Sequence, residues 1–398
     1  MTVALPPLPV ELWLEVFRWA TSTRGASALY STAYLPFEPN SIDVIASDAY
    51  AETRQTKCAL VLVCKRWRRW AIPLLYEDIT IPTKYLGLER MLRYGAVPEG
   101  DTTISVSPCA CLVRRIGLPY STTVVTSPLP IEPLKVLTLC SSAEVLARIP
   151  DFLLSLAYEF DTECPPLPSL KRLDWWHHNE AARTGGINSL AHVLGNAPNL
   201  EYLSILDGDM WPSYLYAPPV HLPHLTTLRL RRVNAILVLQ MCHWSLPALW
   251  HVVFDRIENP ELFQPFWDAF GQHIRIVELG LSLRFLMHDF LGPVFRGCTH
   301  LEELNYYVFL THVPRPNRPQ ESLKTIGLHA STNSAFFHVG SADFWSHLRY
   351  HLGTFTESMY PALRQVNLYG DWSAVIGDKQ FDDLVKPLRE RGCVVEVL

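Results

Sequence analysis

The chain lacks an uninterrupted apolar run near the ~18 to 20 residues that a membrane-spanning helix requires. Its aliphatic stretch Ala59–Val63 is cut short by Lys65 and Arg66, so no membrane partner is expected. It also lacks a cationic excess: 34 Lys and Arg stand against 39 Asp and Glu, a formal net charge of -5. That excludes a global field for nucleic acid and leaves only local clusters, Arg114 with Arg115 and Arg229 with Arg231 and Arg232. Nine cysteines are present, but only Cys109 and Cys111 lie close together. That is neither a disulfide framework nor a zinc ribbon, and it points to a reducing cytoplasmic or nuclear compartment. The opening MTVALPPLPVELW has no basic region before an apolar core, so neither a secretory signal nor a transit peptide is expected. Glycine-rich phosphate loops and a Gly-x-Ser-x-Gly elbow are missing too. What remains, in 398 residues that are 48% hydrophobic and 18% charged, is the composition of a folded globular protein.

Two short helices are legible near the N-terminus. In "LPVELWLEVFRWA" Leu12, Val16, Trp19 and Ala20 recur at three- and four-residue spacing opposite Glu11, Glu15 and Arg18, which predicts an amphipathic helix of about three turns. In "ALVLVCKRWRRWAIPLLY" Leu60, Val63, Trp67 and Trp70 form a second stripe, with Lys65, Arg66, Arg68 and Arg69 on the other faces. Pro73 is expected to end this helix, because it lacks a donor and clashes with the preceding turn. Helices this short are unstable alone and must pack on one another or on a partner.

These residues resemble the F-box family. Leu8, Pro9, Glu11 and Leu12 match its opening "LPxEL", and Val63, Cys64, Lys65, Arg66, Trp67 and Arg68, followed by Ala71, Leu75 and Tyr76, match its second half. The resemblance implies a helical bundle that docks on a Skp-type adaptor and through it on a cullin ubiquitin ligase. Leu8, Pro9, Leu12, Val16, Val63 and Trp67 would supply the adaptor-facing or bundle-core surface. The 33 residues Arg24 to Thr56 separate the two halves, where compact members join them closely. This insertion, within a module spanning residues 1–82, is expected to be a surface excursion with one helical turn near Ile42 to Tyr50. Long insertions of this kind are similar to those of F-box proteins from mushroom-forming (basidiomycete) fungi, which the chain resembles from end to end.

Residues 83–398 carry an internal repeat. Leu-x-x-Leu-x-Leu, with conservative substitutions, begins at Val113, Leu134, Leu170, Leu200, Leu225, Leu249, Ile274, Leu301, Leu323 and Leu363. Most spacings fall in the roughly 20–29 residue period of leucine-rich repeats. Each alternating run predicts a strand with one buried face. Helical segments such as Pro260 to Gly271 and Ala342 to Phe355 lie between the runs, Asp382 to Arg391 precedes a closing strand, and "LPSL", "APNL", "LPHL", "LPAL" and "YPAL" mark the turns. The predicted fold is therefore α/β: an N-terminal helical F-box followed by an irregular leucine-rich-repeat solenoid, with a parallel concave sheet and outer helices. The regular asparagine is replaced by Ser142, His178, Gly208, Val233 and Ile257, hence the irregularity.

If the leucines point inward, the residues that alternate with them face solvent. Trp176, Arg229, Arg231, Tyr307 and Tyr369 are then the candidate target-binding residues, since exposed Trp, Tyr and Arg are the types enriched in binding hot spots. No catalyst is expected. Asp343, His347 and His351 stand at i, i+4 and i+8 in "ADFWSHLRYHLG", but without the glutamate of an HExxH motif they are expected to form a wet helix face. His177 and His178 in "WWHHNE" point opposite ways on a strand, and His221 and His224 in "HLPHL" occupy turn positions. No metal or cofactor is predicted. Two readings follow: a substrate-recognition subunit of a Skp–cullin–F-box ubiquitin ligase with an unknown protein target, or a non-catalytic scaffold whose F-box-like helices do not engage the ligase.

Overall fold

Every leucine-patterned segment but one is built as a strand. The computed structural model describes residues 8–22, 27–81, 88–94, 109–120, 133–148, 163–207, 219–256, 263–281, 288–313, 315–332, 338 and 340–398. Among them are β1 (Asp78–Thr80), β2 (Arg115–Leu118), β3 (Val145–Arg148), β4 (Arg172–His177), β5 (Tyr202–Asp207) and β6 (Thr227–Arg231). These are followed by β7 (His251–Arg256), β8 (Ile276–Leu279), β9 (Glu303–Tyr307), β10 (Thr325–His329), β11 (Gln365–Tyr369) and β12 (Val394–Val397). The chain divides into two compact units. One comprises Met1–Thr32, Glu38–Trp175 and Arg183–Ala197; the other comprises Ala33–Phe37, Trp176–Ala182 and Pro198–Leu398.

In the second unit β5 to β12 follow chain order, each parallel to its neighbours. Parallel neighbours need a crossover, and helices Ala235–Met241, Gln264–Phe270, Leu291–Gly297, Ala342–Thr354 and Lys379–Glu390 lie between the strands. The start of the predicted Pro260 to Gly271 helix lies outside the described residues. Register puts Leu203, Leu228, Val252, Val277, Leu304, Ile326 and Val366 in one row. Two residues on, Ile205, Leu230, Phe254, Leu279, Tyr306, Leu328 and Leu368 form a second row, and no member of either row is more than 1% exposed. Burying each such side chain contributes about 1.5–3 kcal/mol, so these rows are the spine of the unit. Phe254 extends it by packing edge-on to Phe263, Phe266 and Trp267.

In the first unit the corresponding row is Ile79, Ile116, Leu146 and Leu173. Here the repeat reading needs a correction. The segment from Leu134 is the helix Pro133–Leu139, not a strand, and the strand comes later, at β3. Its buried residues Val136, Leu137 and Cys140 have the three- and four-residue spacing of a helix, which the Leu-x-x-Leu-x-Leu template also satisfies.

The N-terminal helices are Val10–Ala20, Asp48–Val63 and Lys65–Tyr76. The expected single helix across Leu60 to Trp70 is instead two, broken at Cys64, where φ -163 and ψ 167 are extended and the thiol accepts from the Trp67 N–H. Pro73 does not end the second helix: it lies inside it, and its own carbonyl still accepts from the Glu77 N–H. The insertion is more ordered than a surface excursion. It holds the short helices Ser27–Tyr30 and Ser41–Ile45 and the start of Asp48–Val63. Ala28, Leu29 and Val44 are buried as a small core, against which Tyr30, Ile45 and Tyr50 pack.

Candidate functional site

On helix Val10–Ala20 the apolar residues divide between two faces. Phe17 is 1% exposed and packs with Trp13 and Trp67 at ring distances of 6.0 and 4.9 Å, and Trp67 in turn lies 5.1 Å from Trp13. Trp70 closes the cluster on Phe17. The predicted apolar stripe points outward: Leu12, Val16 and Trp19 are exposed, as are Leu8 and Pro9 before the helix and Val63 at the end of Asp48–Val63. Aromatic packing explains this division, because the three indoles and the phenyl ring fill the helix junction and leave the aliphatic face without cover. Of the six residues implied by the family resemblance, Trp67 belongs to the bundle core, and the other five lie at the surface.

The residues that alternate with the apolar rows include polar and charged side chains in both units, and the insertion meets some of them. In the first unit buried Arg115 on β2 pairs with Asp78 on β1 at 2.7 Å, and Asp78 also accepts from the Tyr50 hydroxyl at 2.7 Å. Buried Arg172 on β4 pairs with Asp174 at 3.0 Å and donates to the Ser31 carbonyl at 2.7 Å. On the other face, in line with Leu146, Arg148 on β3 is buried and pairs with no carboxylate among the described residues. Its guanidinium donates to the Pro119 and Ile187 carbonyls and lies over the Tyr120 and Trp175 rings, and burial lowers its pKa to about 10.

In the second unit Asp255 on β7 holds two arginines of β6. Arg229 reaches it through Nε at 2.7 Å and a terminal nitrogen at 2.9 Å, and Arg231 through Nε at 3.1 Å. The expectation that Arg229 faces solvent is corrected: it is 7% exposed. Burial opposes its charge, but Asp255, together with Tyr202 and Glu278, more than restores it. Arg231 is half-buried.

Next along the sheet, Glu278 on β8 is 2% exposed, and a single carboxylate oxygen accepts two donors from the insertion: the Tyr34 hydroxyl at 2.7 Å and the Phe37 N–H at 2.8 Å. The Asn305 amide on β9 donates to the Tyr34 hydroxyl at 2.7 Å and to Glu303 at 2.7 Å. The Tyr34 ring lies 5.0 Å from His251. Phe37 sits among Tyr307, His329 and Tyr369, with ring centroids 5.2, 5.0 and 5.0 Å away. Desolvation raises the Glu278 carboxyl to about 7, against the pull of Arg229, the Phe37 N–H and Tyr34. The same burial keeps His251 and His329 neutral, His251 with a pKa lowered to about 4.

Two details show how closely this face is fitted. At Gly327 on β10 a Cβ would meet Asn305 Oδ1 at 2.0 Å, so any side chain there would displace the Asn305 amide that donates to Tyr34. Phe37 has φ 57, a left-handed conformation that costs a non-glycine residue about 1 kcal/mol or more and is held by the surrounding contacts.

The candidates Tyr307 and Tyr369 are therefore brought together, half-buried, under Phe37. Trp176 is not an exposed hot spot: it is 5% exposed, its ring tilted against His178. Tyr34, Phe37, Glu278, Asn305 and His329 were not singled out as site residues. For Tyr34 and Phe37 the available signal was "YLPF" itself, two aromatics around a proline in a segment otherwise small and polar.

The polar stripe of helix Ala342–Thr354 is not a wet face. His351 is wholly buried, its Nδ1 3.1 Å from the Tyr306 hydroxyl and its Nε2 3.1 Å from the Thr311 carbonyl oxygen, and His347 Nε2 lies 2.8 Å from the Val308 carbonyl oxygen. Burial drives both imidazoles toward the neutral form. Among the described residues no group of three His, Cys, Asp or Glu converges, and no helix is long and apolar enough to cross a membrane. No protein-family model matches the chain, and no curated protein matches it.

Proposed function

We propose that the chain is the substrate-recognition subunit of a Skp–cullin–F-box ubiquitin ligase. In this reading the N-terminal helices dock a Skp-type adaptor, and the parallel strands belong to an irregular leucine-rich-repeat array that receives the target. One observation carries the reading. Helix Val10–Ala20 keeps an aromatic core on one side while exposing Leu12, Val16 and Trp19 by 50%, 43% and 76%, with Leu8 and Val63 exposed as well. Leu8 and Leu12 belong to the half-motif "LPVEL" and Val63 to "VCKRWR", and Val16 and Trp19 continue the helix that the first one opens. Apolar side chains left outward on a packed bundle mark a surface that a protein partner covers. The mechanism is proximity. The receptor raises the local concentration of a target beside a ubiquitin-charged enzyme recruited by other subunits, and needs no reactive group of its own.

Co-purification tests the proposal. The full chain should co-elute with a Skp-type adaptor, and Leu12→Asp with Val16→Asp should abolish co-elution while leaving the circular dichroism spectrum intact, because neither side chain is part of the aromatic core. An intact chain that does not bind the adaptor would favour the scaffold reading.

A further inference from the structure

The sheet face read as the recognition surface of the second unit already holds a peptide, and that peptide belongs to the chain. Residues Ala33–Phe37 are counted in the second unit although the residues on either side of them in sequence are counted in the first. The segment lies on the sheet as a bound ligand does. Alternate groups point in and out: Tyr34 and Phe37 face the sheet, while Ala33 and Leu35 are exposed, Leu35 by 47%. It is held by a hydroxyl and a backbone N–H on one carboxylate oxygen of Glu278, by the Asn305 amide, and by three rings around Phe37. The segment itself is in neither helix nor strand. Asn305 Oδ1 is buried with no donor among the described residues, so the site retains an acceptor that the present occupant does not use.

A strand of the sheet would be held by ladder hydrogen bonds. This segment instead sets the Tyr34 hydroxyl on the Glu278 carboxylate and Phe37 among three rings, with Phe37 in a left-handed backbone conformation. Polar satisfaction around an aromatic anchor is the usual composition of a recognition site.

We infer that Ala33–Phe37 is an internal ligand that occludes the target site, and that the target is a protein segment carrying a tyrosine and, three residues on, a second aromatic residue, which displaces it. The inference rests on the reading of this face as the target-binding face, but not on adaptor docking. Tethering gives the internal copy an effective concentration in the millimolar range, so a free segment of equal intrinsic affinity competes poorly until the strap is released.

The test uses the full chain and a fluorescein-labelled peptide of residues 31–40, STAYLPFEPN, as probe. The variant Tyr34→Ala with Phe37→Ala should bind the probe saturably, at least about 10-fold more tightly than the wild type. Adding Tyr369→Ala should weaken that binding by about 10-fold, by removal of one ring of the cage. No saturable binding to a released variant that keeps the wild-type circular dichroism spectrum would overturn the inference, and so would equal binding to both proteins. If the released variant does not fold, hydrogen exchange on the wild type decides. The Phe37 amide should exchange at least about 100-fold faster than the Leu304 and Leu328 amides of the strands beneath it, through local opening. Equal protection would make the strap a fixed part of the core and end the proposal. Neither arm involves the adaptor, so adaptor binding without probe binding rejects the strap alone, and probe binding without adaptor binding rejects the ligase reading alone.

Discussion

The Tyr34 hydroxyl donates to Glu278 across a sequence separation of 244 residues, at 2.7 Å. That one bond ties a segment inserted between two N-terminal helices to the middle of a parallel sheet, and it orders the polar groups around it.

Tyr34→Phe keeps the ring on His251 but removes a donor to Glu278 and an acceptor from Asn305. The buried carboxyl keeps the Phe37 N–H, so the expected loss is moderate, about 1–2 kcal/mol by chemical denaturation. Tyr34→Ala also gives up ring burial and should cost more. Equal stability of Tyr34→Phe and wild type would mean that the hydroxyl contacts carry no net energy.

Glu278 sets a pH dependence. Its carboxyl is raised to about 7 by burial, with Arg229, the Phe37 N–H and Tyr34 opposing and Asp255 adding to the rise. An acid raised from its unfolded value of ~4.3 binds more protons folded than unfolded. Its stabilising contribution is therefore whole below about pH 4 and is lost as pH climbs to about 7. Between about pH 4 and about pH 8 the wild type should lose on the order of 3 kcal/mol more than Glu278→Gln. The buried histidines act with the opposite sign and are common to both proteins. Parallel pH profiles would contradict this assignment.

Asp255 is the anchor of the β6–β7 arginine pair. Asp255→Ala removes the carboxylate that pairs with buried Arg229 and should destabilise by about 3 kcal/mol. Arg231→Ala removes a half-buried side chain from the same carboxylate and should cost about 1 kcal/mol. Thermal denaturation that ranks the two the other way would show that Arg231 is the structural partner.

His351 should behave as a structural residue. With Nδ1 toward Tyr306 and Nε2 toward the Thr311 carbonyl, His351→Ala leaves polar groups unsatisfied and a cavity, at about 2–4 kcal/mol. Exposed Asp343 should tolerate alanine within about 0.5 kcal/mol. A large loss at Asp343 would revive a shared role for the stripe.

How far these features were legible depends on the range of the interaction that makes them. Leucine alternation is local, and it located β2 and β4 to β11 because each strand starts two residues beyond its first apolar position. It misread the helix at Pro133–Leu139 because Leu-x-x-Leu fits both periods. Alternation also says which side chains share a face without saying what lies over that face. Trp176 and Arg229 were expected outward and are buried. Nothing local to "YLPF" encodes Glu278, and nothing local to Glu278 encodes a tyrosine from the insertion. The break at Cys64 was hidden by an apolar stripe that runs through it, and the exposure of Leu12 and Val16 follows from indole packing that helical spacing cannot rank.

The most direct test of the receptor reading is hydrogen exchange on the full chain with and without a saturating Skp-type adaptor. Slowed exchange confined to helix Val10–Ala20 and the Val63–Lys65 junction, with β9 to β11 unchanged, is the expected footprint. No protection at either place, or protection on the sheet alone, would contradict it.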